Sequence, residues 1–301
     1  MRALIHDPAA PSGLRLGEAP DPVPGDGQAL IEVSAISLNY GELYYLGGTQ
    51  PGTVPGWDAA GVVRQAAAEG SGPAAGTRVV TFGWTGAWGA LRAVDTDQLA
   101  VVPDSVDLGT ASALPVAGVT ALQALRALGS VVGRRVLITG ASGGVGRFAV
   151  QLAARAGAHV IASVGGEKRG EGLRELGADE VVIGLEGVTE PVYGVLDNVG
   201  GPQLADVIGL LEEGGAIEWI GTAAGGAAPL AQAQRDRRWR LSNFHVHMPI
   251  GGDLAHLVAL VESGALDAQV DWRTPWDRAP EAAEALLSRR IRGKAVLDVT
   301  P

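Results

Sequence analysis

The stretch VLITGASGGVGRFAVQLA, residues 136–153, decides how the chain is read. Residues 134–140, RRVLITG, form a short apolar run that stops at a glycine, the pattern of a buried parallel strand. A helix is expected to begin around Gly144. Between them lies GASGGVG, Gly140 to Gly146. Gly143 lets the backbone approach a pyrophosphate with no Cβ in the way, and Gly146 lets the helix sit close to the strand. The first helical turn then presents free N–H groups and a partial positive charge to the phosphates. Against the usual G-x-G-x-x-G pattern, Ala141 stands at the first glycine, with Ser142, Gly144 and Val145 completing the loop. A lone glycine pattern is weak; here it follows a strand and opens a helix, the context the motif requires. The other reading is a tight structural turn.

Outward from the loop, AHVIASVG (158–165), DEVVIG (179–184), YGVLDNVG (193–200) and GGAIEWIGTA (214–223) read as strands. RGEGLRELG (169–177) and GPQLADVIGLL (201–211) read as helices, and so does the Ala/Leu-rich stretch 108–128. Strands alternating with helices predict a parallel sheet with right-handed crossovers. The first hundred residues are β-rich, with ALIEVSAISL (29–38) and later short strands divided by Gly and Pro. The end, 279–299, reads as a helix and a strand that rejoin this first module.

Composition narrows the function. The chain has 301 residues, 47% of them hydrophobic, no cysteine, a formal net charge of −10 and a pI of about 5.0. Absent cysteine removes disulfides, thiolate metal sites and cysteine nucleophiles, and cytoplasm is the simplest expected compartment. The acidic balance opposes nucleic-acid binding. No unbroken run of eighteen apolar residues suggests a membrane span. One basic segment, QRDRRWR (234–240), reads as a surface or subunit contact rather than a binding patch.

The second strand, ending at Val164, separates NAD from NADP. An NAD site places an acid at its tip for the ribose 2′-hydroxyl. Here Gly165 and Gly166 follow, and then Glu167, Lys168 and Arg169. The two cations are placed to meet a 2′-phosphate, so NADP(H) is the expected cofactor; the other reading is that they solvate a helix start.

NYGELYYLGG (39–48), VPGWDAAGVV (54–63), PVAGVTALQAL (115–125), GASGGVGRFAVQLA, LGADEVV (176–182) and LDNVGG (196–201) occur in the order seen in one family. The chain resembles the medium-chain dehydrogenases/reductases, and among them the zinc-free quinone oxidoreductases. The resemblance implies an α/β fold in which a Rossmann domain, expected at 111–265, is inserted in a GroES-like β-barrel-type catalytic domain of 1–110 plus 266–301, with the active site in the cleft between them. Zinc-using relatives have a Cys where Asn39 stands, a His-Glu pair where Trp57-Asp58 stands, and a third ligand near Val116. Asn, Trp and Val do not make a zinc site of the N/S type. His245 and His247 alternate on an expected strand, but two histidines lack a third ligand, and the resemblance places Phe244 and His245 near the nicotinamide. Relatives that bind NADP often carry Ser at Gly166 and Tyr at Gly184, so selectivity rests on Lys168 and Arg169. Family members carry a helix between Gly184 and Tyr193 for which this chain is too short.

Hydride transfer to an already electrophilic acceptor, a quinone or an α,β-unsaturated carbonyl compound, suits a site without a metal. Charge builds on the carbonyl oxygen, so a hydrogen-bond donor lowers the barrier. The Asn39 amide and the Tyr40 hydroxyl are the candidates, with Tyr44 and Tyr45 behind them; a packed helix face is the competing reading of the tyrosines. Thr120, Asn198 and Gly221 are further cofactor candidates, and Asp197 and Asn198 also read as caps of the following helix. Gln50, in GTQP, replaces the Tyr that enoyl-thioester reductases use as proton donor. Trp57 and Trp84, with Tyr44 and Gln50, are expected to line the substrate pocket, and Trp88 either joins them or fills the core. An enoyl or polyketide double-bond reductase and a catalytically idle NADPH-binding protein are the alternatives. A homodimer formed near residues 217–247 is implied by the resemblance.

Overall fold

The computed structural model describes residues 1–225 and 238–300. Among them the chain runs through β1 (Arg2–His6), β2 (Leu14–Glu18), β3 (Gln28–Leu38), α1 (Tyr40–Tyr45), β4 (Asp58–Gln65), β5 (Arg78–Phe82), β6 (Leu91–Asp95), β7 (Leu99–Val101), α2 (Leu108–Ser112) and α3 (Pro115–Leu128). It continues through β8 (Arg135–Thr139), α4 (Gly144–Arg155), β9 (His159–Val164), β10 (Glu180–Ile183), β11 (Val192–Asp197), α5 (Gln203–Gly209), β12 (Leu211–Trp219) and β13 (Arg240–Asn243). The last elements are α6 (Gly251–Glu262), β14 (Val270–Pro275), α7 (Ala279–Leu287) and β15 (Lys294–Asp298). Two compact units result, Met1–Val119 with Met248–Pro301, and Thr120–His247. Helix α6 packs on β7, and residues 111–119 and 248–265 fall in the first unit, whereas the expected domain of 111–265 included both.

The first unit is built on a sheet of order β14-β15-β3-β4-β5-β7, with β6 also on β3. Strand β3 pairs β6 through its first half and β15 through its second, both antiparallel, while β4 runs along its other edge. Its residues bury Ile31, Val33, Ile36 and Leu38. Trp88 and Trp276 are wholly buried in the same unit, so Trp88 belongs to the core and not to a substrate pocket.

The second unit carries a parallel sheet of order β10-β9-β8-β11-β12-β13, the doubly wound arrangement of a Rossmann domain. Its central strands are apolar because both faces are covered. The expected helix over 169–177 does not form. A single 3-10 turn, Glu167–Gly170, is followed by turns, because Gly172 and Gly177 adopt positive φ (78° and 107°) that end helical geometry. Residues 184–191 likewise carry no helix. Within the described residues no helix is long and apolar enough to cross a membrane.

Candidate active site

In the second unit the glycine loop lies at the carboxyl edge of the sheet, where β8 and β11 end together. Gly140 sits at φ +59°, and the Gly143 N–H donates to its carbonyl at 3.0 Å to close the turn. A Cβ on Gly146 would lie 2.5 Å from the Gly140 oxygen and 2.6 Å from the Ala141 Cα, so only glycine lets α4 approach β8 this closely. The first-turn N–H groups of α4, at Gly144, Val145 and Gly146, have no carbonyl one turn back within the helix. Arg169 Nε donates to Ser142 Oγ at 2.8 Å, which ties the cation to the loop. Gly165 and Gly166 stand next to open space: a Cβ on either meets nothing within 4 Å. Lys168 is exposed beside them.

Asp197, at the end of β11, is fully buried. It accepts from Thr139 Oγ1 (2.5 Å) and from the N–H groups of Val199 (3.2 Å) and Gly200 (3.1 Å). It therefore caps the turn after β11 rather than α5, which begins six residues later at Gln203. Burial pushes its carboxyl up. Asn198 donates its amide to the Thr139 carbonyl at 2.9 Å, and its Oδ1 is buried with no partner. An unmet acceptor at the carboxyl edge of a parallel sheet fits a hydroxyl or amide donor on a bound dinucleotide. Gly221 passes so close to Asn198 that a Cβ would lie 2.2 Å from its carbonyl oxygen.

The remaining cofactor candidates of this unit are placed less directly. Thr120 is buried within α3, not at its start. Strand β13 ends at Asn243, so His245 and His247 follow the strand instead of alternating on it. Phe244 is buried and donates its N–H to the Trp219 carbonyl at 2.9 Å; His245 is exposed, with Nε2 3.3 Å from Asn243 Nδ2. His247 is held by its backbone to Gln123. Of the basic segment, residues 234–237 lie outside the described residues. Arg238 pairs with Glu213 at 3.3 Å and Arg240 with Glu218 at 3.0 Å.

In the first unit the residues at the zinc positions of relatives form a buried polar network. Asp58 Oδ2 accepts from Asn39 Nδ2 (2.8 Å) and Ser37 Oγ (3.1 Å), and its Oδ1 accepts from the Val116 N–H (3.1 Å). Lys294 Nζ donates to Asn39 Oδ1 (2.5 Å) and the Leu38 carbonyl (3.2 Å), and lies 3.5 Å from Asp58 Oδ2. Glu42 reaches back to the backbone N–H of Asn39 at 2.6 Å, as in a capping box, and also accepts from the Trp57 N–H. Arg92, buried against Thr81 and Gly83, is pulled down by burial to about 10. Zinc does not fit here, since the Asn39 amide oxygen and both Asp58 carboxylate oxygens are already bonded within the network and the remaining positions carry an indole and a valine. Lys294 and Glu42 were missed in the sequence; the only local signals were a lone Lys before an apolar strand and the Asn39…Glu42 spacing.

The aromatic candidates also belong to this unit. Tyr40 is half-buried in the first turn of α1, stacked on Tyr44 with centroids 5.8 Å apart, and its hydroxyl bonds to no described residue. Tyr44 and Tyr45 are exposed, which rules out a packed face for them. Half-buried Trp57 meets exposed Trp84 edge to face at 5.4 Å. Gln50 is exposed.

The network carries a pH signature. Burial, then the Asp58 carboxylate, pushes Glu42 up to about 8, against the pull of Lys294 and two backbone N–H donors. Burial raises Glu218 too. Such groups hold protons in the folded protein that the unfolded chain has released, so stability falls as pH climbs from 4.5 toward about 8. The lowered carboxyls, Asp7, Asp107 and Glu180, act below that window. The urea midpoint is expected to be lower at about pH 8.5 than at about pH 6, with a flatter slope in Glu42→Gln; equal midpoints in the unsubstituted protein would refute this.

Residues 25–104 match the alcohol dehydrogenase GroES-like domain, and residues 176–297 match the zinc-binding dehydrogenase domain. The chain is 30% identical, over 95% of its length and 93% of the relative's, to a probable zinc-binding oxidoreductase, mitochondrial, of Arthroderma benhamiae. The quinone oxidoreductase of Coxiella burnetii superposes with a TM-score of 0.89 at 27% identity, covering 100% of this chain and 99% of that one. A mycobacterial protein solved in complex with NADPH superposes with a TM-score of 0.87 at 26% identity, covering 99% and 100%. With a glycine loop at the edge of a parallel sheet and an amide–carboxylate–ammonium network at the zinc positions, the chain belongs to the medium-chain dehydrogenase/reductase family, as an NAD(P)H-dependent oxidoreductase of its zinc-free, quinone oxidoreductase-like branch.

Proposed function

We propose that the protein uses NADPH to reduce a quinone or an α,β-unsaturated carbonyl compound without a metal. The observation that carries this reading is the bonding of Asn39, Asp58 and Lys294 to one another where relatives hold zinc. With no Lewis acid to polarise an ordinary alcohol or ketone, the acceptor must already be electrophilic. When bound, NADPH supplies the hydride. The first turn of α4 takes the pyrophosphate, and Arg169, tied to Ser142, meets the 2′-phosphate together with Lys168. Gly165 and Gly166 leave room for the ribose. The binding of NADPH by a mycobacterial neighbour of similar fold supports that choice.

As negative charge grows on the acceptor's carbonyl oxygen, two donors serve it, the second N–H of Asn39 Nδ2 and the Tyr40 hydroxyl. The acceptor gains the hydride and one proton, the proton coming from Tyr40 or from water. Trp57 and Trp84, with Tyr44 and Gln50, present the flat surface for the acceptor. A homodimer is part of the same reading; β13 is the outer strand of its sheet among the described residues, and edge strands pair readily. The cysteine-free composition supports a cytoplasmic setting.

NADPH consumption by the purified protein with a panel of quinones and conjugated enones tests the reading. Turnover with either class is expected. Intact NADPH binding without turnover of any acceptor would replace it with an idle cofactor-binding protein. The cofactor assignment is tested separately. Lys168→Ala with Arg169→Ala is expected to raise the Kd for NADPH by roughly 10–100-fold, the loss of charge-assisted contacts, while NADH binding changes by less than about 3-fold. Equal losses for both cofactors would remove the 2′-phosphate from this site.

A further inference from the structure

We infer that Lys294 is a positioning and polarising residue for the reaction, acting through the amide of Asn39. The inference rests on the proposed role of Asn39 as a donor to the acceptor's carbonyl oxygen. Lys294 is buried at 2% exposure, and two of its N–H bonds go to Asn39 Oδ1 (2.5 Å) and the Leu38 carbonyl (3.2 Å), with Asp58 Oδ2 at 3.5 Å. Asn39 therefore lies between an ammonium on its oxygen and a carboxylate on its nitrogen, the latter at 2.8 Å. Only one orientation of the amide satisfies both, because a flipped amide would set NH2 against the ammonium and oxygen against the carboxylate.

Two consequences follow for the donor. One Nδ2 hydrogen is committed to Asp58, so the other is the only one left to offer, and its direction is set by the first. A cation on the amide oxygen also withdraws charge from the nitrogen, which makes the remaining N–H a stronger donor in a buried site. Positive charge thus acts at the place where zinc-using relatives keep a metal, but it reaches the acceptor through an amide instead of by coordination. Glu42, pushed up to about 8 by burial, keeps its proton at neutral pH, so Asp58 is the buried carboxylate set against the Lys294 ammonium.

A double-substitution cycle tests the inference, using full-length protein, NADPH and whichever acceptor the unsubstituted enzyme reduces fastest. Asn39→Ala is expected to lower kcat by roughly 100-fold and Lys294→Met by roughly 10-fold, with KM for NADPH within about 2-fold of its original value. Combined, they are expected to be no slower than Asn39→Ala alone, since Lys294 has no effect once its intermediary is gone. Lys294→Arg, which keeps the charge, is expected to recover most of the rate. Independently of turnover, the Asn39 side-chain amide protons, assigned by their loss in Asn39→Ala, are expected to move upfield in Lys294→Met as the donor is depolarised. If Lys294→Met does not fold, Asp58→Asn is compared with Asp58→Asn plus Lys294→Met, which separates the loss of the lysine from the loss of the carboxylate.

The outcomes separate the two claims. Asn39→Ala with unchanged kcat would end the proposed role of Asn39 and this inference with it. A slow Asn39→Ala beside a Lys294→Met of unchanged rate and amide shifts, or losses that multiply in the combined variant, would overturn the Lys294 inference alone. A protein that reduces no acceptor would overturn both.

Discussion

Gly146→Ala is expected to lose NADPH binding and part of its folding stability together. The added Cβ would lie 2.5 Å from the Gly140 carbonyl oxygen, 2.6 Å from the Ala141 Cα and 2.8 Å from the Ala141 carbonyl carbon. All three are backbone atoms, so the clash cannot be relieved by a side chain turning away; α4 has to move off β8. Overpacking of this kind costs about 1–3 kcal/mol. The same displacement withdraws the first-turn N–H groups from the pyrophosphate, and a Kd for NADPH raised by at least roughly 10-fold is expected. Gly165→Ala is the matched control. Its Cβ meets nothing within 4 Å, so the fold is expected to keep its Tm while NADPH binding weakens if the cofactor passes over that residue. Thermal unfolding and NADPH titration of both variants decide the point. A Gly146→Ala protein that keeps both its Tm and its NADPH affinity would contradict the proposed loop.

Asp58→Ala is expected to produce the largest loss of stability of any single truncation in the polar network. The carboxylate is fully buried and joins four groups: the Ser37 hydroxyl, the Asn39 amide, the Val116 N–H and the Lys294 ammonium. Removing it strands the ammonium in the interior along with three polar hydrogens. Breaking one side of a buried ion pair costs about 3–5 kcal/mol. At about 2–4 °C per kcal/mol for a chain of this order of size, Tm is expected to fall by roughly 10 °C. Lys294→Met with Asp58→Asn, which leaves no ion unpaired, is expected to unfold at a higher temperature than Asp58→Ala. A Tm for Asp58→Ala within about 2 °C of the original would show that the network is not holding the fold.

The two predictions differ in how far the sequence carries them. Residues 136–153 display the strand, the glycine turn and the helix start directly, because all three are local: each depends on neighbours within a few positions. The buried strands β8, β9, β11 and β12 were legible for the same reason. The helix expected over 169–177 was not, because Gly172 and Gly177 take positive φ values that end helical geometry there. Trp88 could have faced a ligand or the core by composition; burial within the first unit decides for the core. The histidines at 245 and 247 do not alternate on a strand, because β13 ends at Asn243.

Asn39 shows where local reading stops. Its residue type and its match to a relative's zinc position mark it as important, and the same match identifies Asp58 and Val116. Nothing near it in sequence announces that its oxygen is met by a lysine 255 residues away. That contact exists because β15 pairs antiparallel with β3, with Ala295 opposite Leu38, which sets Lys294 beside the end of β3. A register slip by one residue would turn Lys294 to the other face of the sheet and leave Asn39 without it. The sequence alone therefore determined the class of fold, the glycine turn between β8 and α4 and the loss of zinc-type ligands at positions 39, 57 and 116, all of which follow from short-range pattern and side-chain chemistry. Which buried charges meet, which amide hydrogen is left to donate and how Arg169 is tied to the loop were decided only by tertiary structure, because strand order and register set distances between residues that the chain keeps far apart.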